Sequence, residues 1–265
     1  MNKRSAISRA AKAPIYRLLD RHLGGYVQGY MYRNVYLGAK RGTDALRKYN
    51  EVHCRYSTVR QWPENVKSFE NLALLFHSGQ SNYGICLLTF EEAAYLYSLV
   101  KGMGNSRIAE IGRSKGGSTF LIATAMGNGS TLESYDIDNQ FDHELNNALE
   151  RYHNLASRIN IITQDSTTVK PPESRYDLVF IDGDHSYKGA KADFMAWRNA
   201  VKTDGHLLFH DAARTQKLTS ASSGVIELVE EIESTYDHQF ERVGTTGSLV
   251  HFRKKDDSHW KKCLA

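Results

Sequence analysis

No stretch of this 265-residue chain is apolar for the roughly 18 residues that a membrane-spanning helix needs. Prolines are few: Pro14, Pro63 and the pair Pro171–Pro172. There is no internal repeat and no low-complexity tract, which excludes a collagen or a repeat array. Cysteine is scarce and odd in number. Cys54, Cys86 and Cys263 are scattered and no pair has metal-site spacing, so they read as free thiols in a reducing compartment, not as a disulfide framework. The first thirty residues lack a continuous apolar core, so no cleaved secretory signal is expected and the expected location is cytoplasmic. What is present is an ordinary globular composition, 41% hydrophobic and 24% charged, which excludes a disordered chain. The length suits one domain with an extension, or two small domains.

The net charge of +4 hides an asymmetry. Residues 1–50 hold eleven Lys and Arg against Asp20 and Asp44, while the remainder holds 23 bases against 28 acids. A basic arm thus precedes a mildly acidic body. Such an arm prefers an anionic partner: a lipid surface, nucleic acid, a polyanionic glycan or the acidic body itself. Ile7, Ala11, Ile15, Leu18 and Leu19 recur at helical spacing among Arg4, Lys12, Arg17 and Arg21. That helix, interrupted by Pro14, either lies peripherally on the inner membrane face or docks its apolar side on the body or a second subunit. Residues 24–56 hold six of the fifteen tyrosines, and the spacing of Tyr26, Tyr30 and Tyr32 suits packing or ring stacking.

Beyond residue 80 the pattern becomes regular. Thr89 and Glu92 form a capping box that predicts a helix through about Lys101. Arg107–Gly112 is a short apolar strand leading through glycines into a helix, Gly117–Met126. Strands follow at Thr131–Asp138, Ile159–Asp165, Tyr176–Asp182 and Gly205–Asp211, with helices near Phe141–His153, Tyr187–Val201 and Val225–Ser234. Phe240–Val243 and Ser248–Arg253 close the pattern around Gly244–Gly247. Strand–helix alternation of this kind predicts an α/β fold, a Rossmann-like doubly wound and mostly parallel sheet. The last two strands are too close for a crossover helix, so they should form an antiparallel hairpin at one edge. Trp197 is expected in the core.

In such a sheet ligands bind beyond the carboxyl ends of the strands. The first strand ends Glu110-Ile-Gly112-Arg-Ser114-Lys-Gly116-Gly117, where glycines allow close ligand approach or simply tight packing. Asp136 and Asp138 end the second strand, and either can accept two hydrogen bonds from a ribose diol or merely cap a helix. Asp165-Ser166 ends the third, placed to hold an adenine amino group. Asp182-Gly-Asp184-His185 closes the fourth and His210-Asp211 the fifth. Adjacent strand ends lie roughly 5 Å apart, so these acids and imidazoles converge. Carboxylates that close repel unless a cation sits among them. A divalent metal, Mg²⁺ or Mn²⁺, explains the cluster economically; helix caps with an Asp–His bond are the alternative.

The segments AEIG…GGS, QDS, YDLVFIDGDHSYKGAKADFMAW and DGHLLFHD resemble class I S-adenosylmethionine-dependent methyltransferases. Within them the likeness is to the group of cephalosporin-hydroxylase-like, macrocin-type and catechol-type O-methyltransferases, over about residues 85–254. The resemblance implies 81–254 as the methyltransferase domain; residues 1–80, which resemble no family, are expected as a basic, Tyr-rich, mainly helical extension and 255–265 as a polar tail. It places Glu110, Gly112, Ser114 and Gly116 beside the methionine part of the cofactor, Asp136 on the ribose, and Asp165 with Ser166 near adenine. It makes Asp182, also counted with the cofactor, and Asp184, His210 and Asp211 the candidate metal ligands. The catechol-type pattern has Asp-Asn where this chain has His210-Asp211. Imidazole is a poorer Mg²⁺ ligand than oxygen, so the metal's identity and its necessity stay open.

The expected reaction is transfer of the sulfonium methyl group to a hydroxyl of a sugar, glycan or small natural product by a homo-oligomeric enzyme. His185, whose reference pKa is near neutrality, is the candidate base, with Asp184 beside it. The alternative for His185 is that it only orients Asp184. Two other classes remain: a nucleic-acid methyltransferase that uses the basic arm, and a non-catalytic nucleoside-binding scaffold. Against the first, no aromatic–basic interleaving marks an RNA-binding module and no N-P-P-Y-type string is present. The acidic strand ends argue against the second.

Overall fold

In the computed structural model, residues 55–59, 62–76, 84–152, 155–215, 218 and 223–256 are described. The basic arm, most of the Tyr-rich segment and most of the tail lie outside these residues. The chain divides into two compact units. The smaller takes Met1–Val66 and Glu70–Leu87; the larger takes Lys67–Phe69 and everything from Leu88. Within the smaller unit Tyr56 stacks on Trp62, and the Cys86 amide donates to the Leu75 carbonyl.

The larger unit begins where Thr89 and Glu92 exchange both bonds of their capping box and start α1, Phe90–Gly102. Seven strands follow: β1 Arg107–Ile111, β2 Thr131–Asp136, β3 Ile159–Thr163, β4 Tyr176–Ile181, β5 Val201–Phe209, β6 Phe240–Thr246 and β7 Leu249–Lys254. Between them lie α2 Gly117–Ala125, α3 Asp142–Glu150, α4 Tyr187–Trp197 and α5 Val225–Thr235. The sheet order is β3-β2-β1-β4-β5-β7-β6. The first five strands pair in parallel. β7 inserts antiparallel between β5 and β6. This is the doubly wound sheet with an antiparallel closing hairpin that the strand–helix alternation predicts.

Burial explains the patterns. β4 (YDLVFI) and β1 sit in the middle of the sheet and are buried along nearly their whole length, as central parallel strands are. All nine residues of α2 are buried, which its sequence GSTFLIATA permits on every face. Trp197 is fully buried and packs against Tyr135 and Tyr176, with ring centroids 5.0 and 5.8 Å away.

Two boundaries differ from expectation. α4 stops at Trp197 and gives way to a 3₁₀ turn, Arg198–Ala200, after which β5 opens at Val201. The regular ladder with β4 resumes only at His206, past a register shift and past Asp204 at φ 61°. The buried Lys254 ammonium donates to the carbonyls of Arg198, Asn199 and Val201, which satisfies the unspent end of the helix. β6 runs on to Thr246 because a bulge leaves Val243 unpaired, Gly244 rejoins the ladder opposite His251, and the turn is made at Gly247. No helix among the described residues is long and apolar enough to cross a membrane.

The strand order reverses between β1 and β4, which opens a crevice at their carboxyl ends. Gly112, the residue after β1, has φ 85°, and a methyl group there would lie 2.2 Å from the Asp182 carbonyl oxygen. Gly112→Ala therefore meets both backbone strain and a rigid neighbour. We expect it to cost at least about 1–3 kcal/mol, read as a lowered denaturant midpoint; an unchanged midpoint would show that β1 and β4 can separate.

Candidate active site

The turn after β1 is shaped from below by two buried networks. Glu110 is fully buried and accepts hydrogen bonds from the hydroxyls of Ser118, Thr119 and Ser134; burial still pushes its carboxyl up. The Arg113 side chain turns inward. It pairs with both Asp142 oxygens and donates to the carbonyls of Ser134 and Ile162, so one guanidinium ties the turn to β2, β3 and α3. Above, Asp136 Oδ2 accepts the amides of Arg113 and Ser114 at 2.9 and 2.8 Å, and its Oδ1 accepts the Asp138 amide at 2.9 Å. Ser114 at φ 48° and Gly116 at φ 80° complete the turn, and Gly116 caps α2.

A cavity of about 470 Å³ opens over this turn. It is lined by Gly112, Ser114, Asp136, Asp165, Ser166, Asp182 and Asp184, all expected cofactor or metal residues, and also by Ile137, Thr167 and Asp193. Glu110 and Gly116 do not line it; they stand behind the wall. The lining contains five aspartates and neither lysine nor arginine. Its volume falls in the range of small-molecule and cofactor sites.

Beyond Asp182 lies a tight ionic cluster. Asp182 Oδ1 is 3.0 Å from His210 Nδ1 and 3.2 Å from His185 Nε2. His185 Nδ1 is 3.2 Å from Asp211 Oδ2. His210 Nε2 is 3.4 Å from Glu92 Oε2. Glu92 in turn accepts the Ser248 amide and hydroxyl at 2.6 and 2.8 Å, and the Ser248 hydroxyl lies 3.2 Å from Asp211 Oδ1. Burial opposes charge here, but the partners win. The carboxylates around them hold His185 up at about 9 and His210 up at about 11. Against the burial penalty, bonds from His210, Ser248 and Thr89 bring Glu92 down to about 2. Asp182 and Asp211 are also lowered, by both imidazoles.

Two imidazoles stand among the crowded carboxylates, and in their protonated form they are an alternative to a metal as the counter-charge. Of the expected ligands, Asp182 and His210 come together with His185, each offering one ligand atom within 4.8 Å of the others. Asp184 does not join them. Its carboxylate takes the amide and hydroxyl of Ser186, the residue that caps α4. Asp211 stands one step out, on His185. One carboxylate with two imidazoles fits a borderline transition metal such as Fe²⁺, Mn²⁺ or Zn²⁺ better than Mg²⁺.

Residues 109–212 match the family model described as a methyltransferase domain. The matched segment lies wholly within the larger unit. Solved structures share its fold. A protein of Corynebacterium glutamicum is 19% identical over 82% of this chain and 99% of its own, with a TM-score of 0.55. A methyltransferase of Geobacter sulfurreducens is 15% identical over 63% of this chain and 80% of its own, with a TM-score of 0.51. Among curated proteins no significant match is found.

Three residues of the larger unit escape a reading of strand ends alone. Glu92 shows itself in the sequence only as the capping-box acid, and it lies outside the matched segment. Arg113 looks like an ordinary turn residue. Asp193 sits inside α4 with no local signal beyond being an acid one helical turn before Trp197.

His185 and His210 bind their protons more tightly folded than free, so their ion pairs stabilise fully below about pH 6.5. That contribution is lost as pH rises through about 9 and beyond. The thermal midpoint should fall between about pH 7 and about pH 9.5, and His185→Gln should flatten that fall. A wild-type midpoint that stays level across this window would show that the rings are not held charged.

Proposed function

We propose that the chain transfers the methyl group of S-adenosylmethionine to a hydroxyl of a sugar, glycan or small natural product. The observation that carries this reading is Asp182: it lines the cavity and also binds both imidazoles of the ionic cluster. A donor seated in the cavity thus lies beside the groups that can orient and deprotonate an acceptor. The acidic lining suits a sulfonium cation, and Gly112 and Ser114 offer backbone that a cofactor can approach. Asp136 gives three of its roughly four acceptor sites to the turn and keeps one for a ribose hydroxyl. The same negative potential disfavours a phosphate-rich acceptor, which supports a neutral hydroxyl over nucleic acid.

In the reaction the acceptor oxygen forms a bond to the methyl carbon as the sulfur–methyl bond breaks, and the bonding pair stays on sulfur as a neutral thioether. The hydroxyl proton must leave. His185 has both ring nitrogens against carboxylates and holds its proton at neutral pH, so without a metal it becomes a competent base only above about 9. Asp184, by binding the amide and hydroxyl of Ser186 that caps α4, fixes the loop that carries His185. A divalent cation held by Asp182, His185 and His210 would supply Lewis acidity that lowers the hydroxyl pKa.

Titration calorimetry tests the first part. S-adenosylmethionine should bind the full chain, and Asp136→Ala should weaken binding by about 1–3 kcal/mol; unchanged affinity in a folded variant would remove Asp136 from the site. Activity tests the second. After exhaustive chelation, turnover should persist only at alkaline pH, rising through about 9, and His185→Gln should abolish that limb. Transition-metal ions should restore neutral-pH turnover more fully than Mg²⁺. Full neutral-pH activity in chelator would exclude the metal-assisted route.

A further inference from the structure

Five aspartates line the cavity, and four of them receive two or more hydrogen bonds from the protein. Asp136 takes three backbone amides, Asp182 two imidazoles, Asp184 the Ser186 amide and hydroxyl, and Asp165 the Thr167 amide and hydroxyl. Asp193 differs. It projects from α4, is only 3% exposed, and its Oδ1 receives a single bond, from the Ser166 hydroxyl. Its Oδ2 has no donor among the described residues and stands at the cavity wall beside Gly183, where an added methyl group would come within 3.3 Å of it. One neutral donor under-satisfies a buried carboxylate. Burial pushes the Asp193 carboxyl up to about 6, and Asp165 and Asp184 add repulsion.

The neighbourhood says what would complete it. Trp197, one turn along the same face of α4, donates its indole N–H to the Ser166 carbonyl at 3.1 Å. Asp193 and Trp197 therefore grip the turn Ser166–Thr168 from one helix, and the Oδ2 position is fixed in advance. A cofactor whose ribose is held at Asp136 and whose methyl group reaches Asp182 has only its base left for the wall of Ser166, Thr167 and Asp193. Adenine offers a neutral N–H donor there.

We propose that Asp193 reads the base: its Oδ2 accepts a hydrogen bond from the exocyclic amino group of adenine. This rests on the reading that the cavity holds S-adenosylmethionine. The rival acceptor is Asp165, which is exposed and whose Oδ1 already serves Thr167.

S-adenosylhomocysteine and S-inosylhomocysteine differ at this group. The second carries a carbonyl oxygen where the first has the amine, and a carboxylate repels it. Calorimetry with the full wild-type chain should show the adenine compound bound at least about tenfold more tightly. Asp193→Asn, whose amide can accept or donate, should bring the two affinities within about threefold. Asp165→Asn should retain the wild-type ratio. Ser166→Ala breaks the same internal bond yet leaves the carboxylate in place, so it too should retain the preference. Equal wild-type affinities overturn the proposal. So does a ratio that collapses in Asp165→Asn while Asp193→Asn keeps it. A ratio lost equally in Ser166→Ala and Asp193→Asn would mean that Asp193 acts only by holding the turn, which also overturns it. If wild type binds neither compound, the cofactor reading itself fails, and the assignment with it.

Discussion

A carboxylate taken out of water must be given donors, and the larger unit is arranged around meeting that demand at its strand ends. Glu110 receives three hydroxyls, Asp136 three amides, Asp182 two imidazoles, and Glu92 amides and a hydroxyl together with an imidazole. Each of these sets joins elements distant in sequence. Glu110 binds β1 to α2 and β2; Glu92 binds α1 to the β5 end and to the β6–β7 turn. The negative field that remains over the cavity is thus a by-product of how the sheet is fastened, and a cationic sulfonium is what that field suits.

The fold was legible because backbone demands repeat. β4 is apolar at nearly every position, the glycines after β1 mark a turn, and Thr89 with Glu92 announces a helix start. The exceptions are instructive. The helix expected to reach Val201 ends at Trp197, and the buried Lys254 ammonium, distant in sequence, donates to the carbonyls of Arg198 and Asn199 in the turn that follows it. Nothing near residue 197 in sequence carries that information.

The candidate site was legible as a set of residues and not as a set of partners. Asp182 and Asp184 are two positions apart and look equivalent in the string DGDH. One faces the imidazoles, and the other folds back on Ser186 because a helix begins there and needs its first amides capped. Crowding of acids was read as a place for a metal; His185, read as the base, and His210, read as a ligand, are a second source of positive charge among the same carboxylates. Asp193 had no local signal at all, for its meaning depends on a hydroxyl 27 residues away in the chain.

The insertion of β7 between β5 and β6 has a consequence for biosynthesis. Ser248, in the turn that precedes β7, is the residue that bridges Glu92 and Asp211. A nascent chain that has emerged as far as α5 possesses the glycine turn, the cavity wall and both imidazoles, but the β5 edge is open and Glu92 and Asp211 lack their common donor. The ionic centre is thus closed by a segment that leaves the ribosome after the rest of the site, and a partly translated chain can offer a pocket before it can offer an assembled centre.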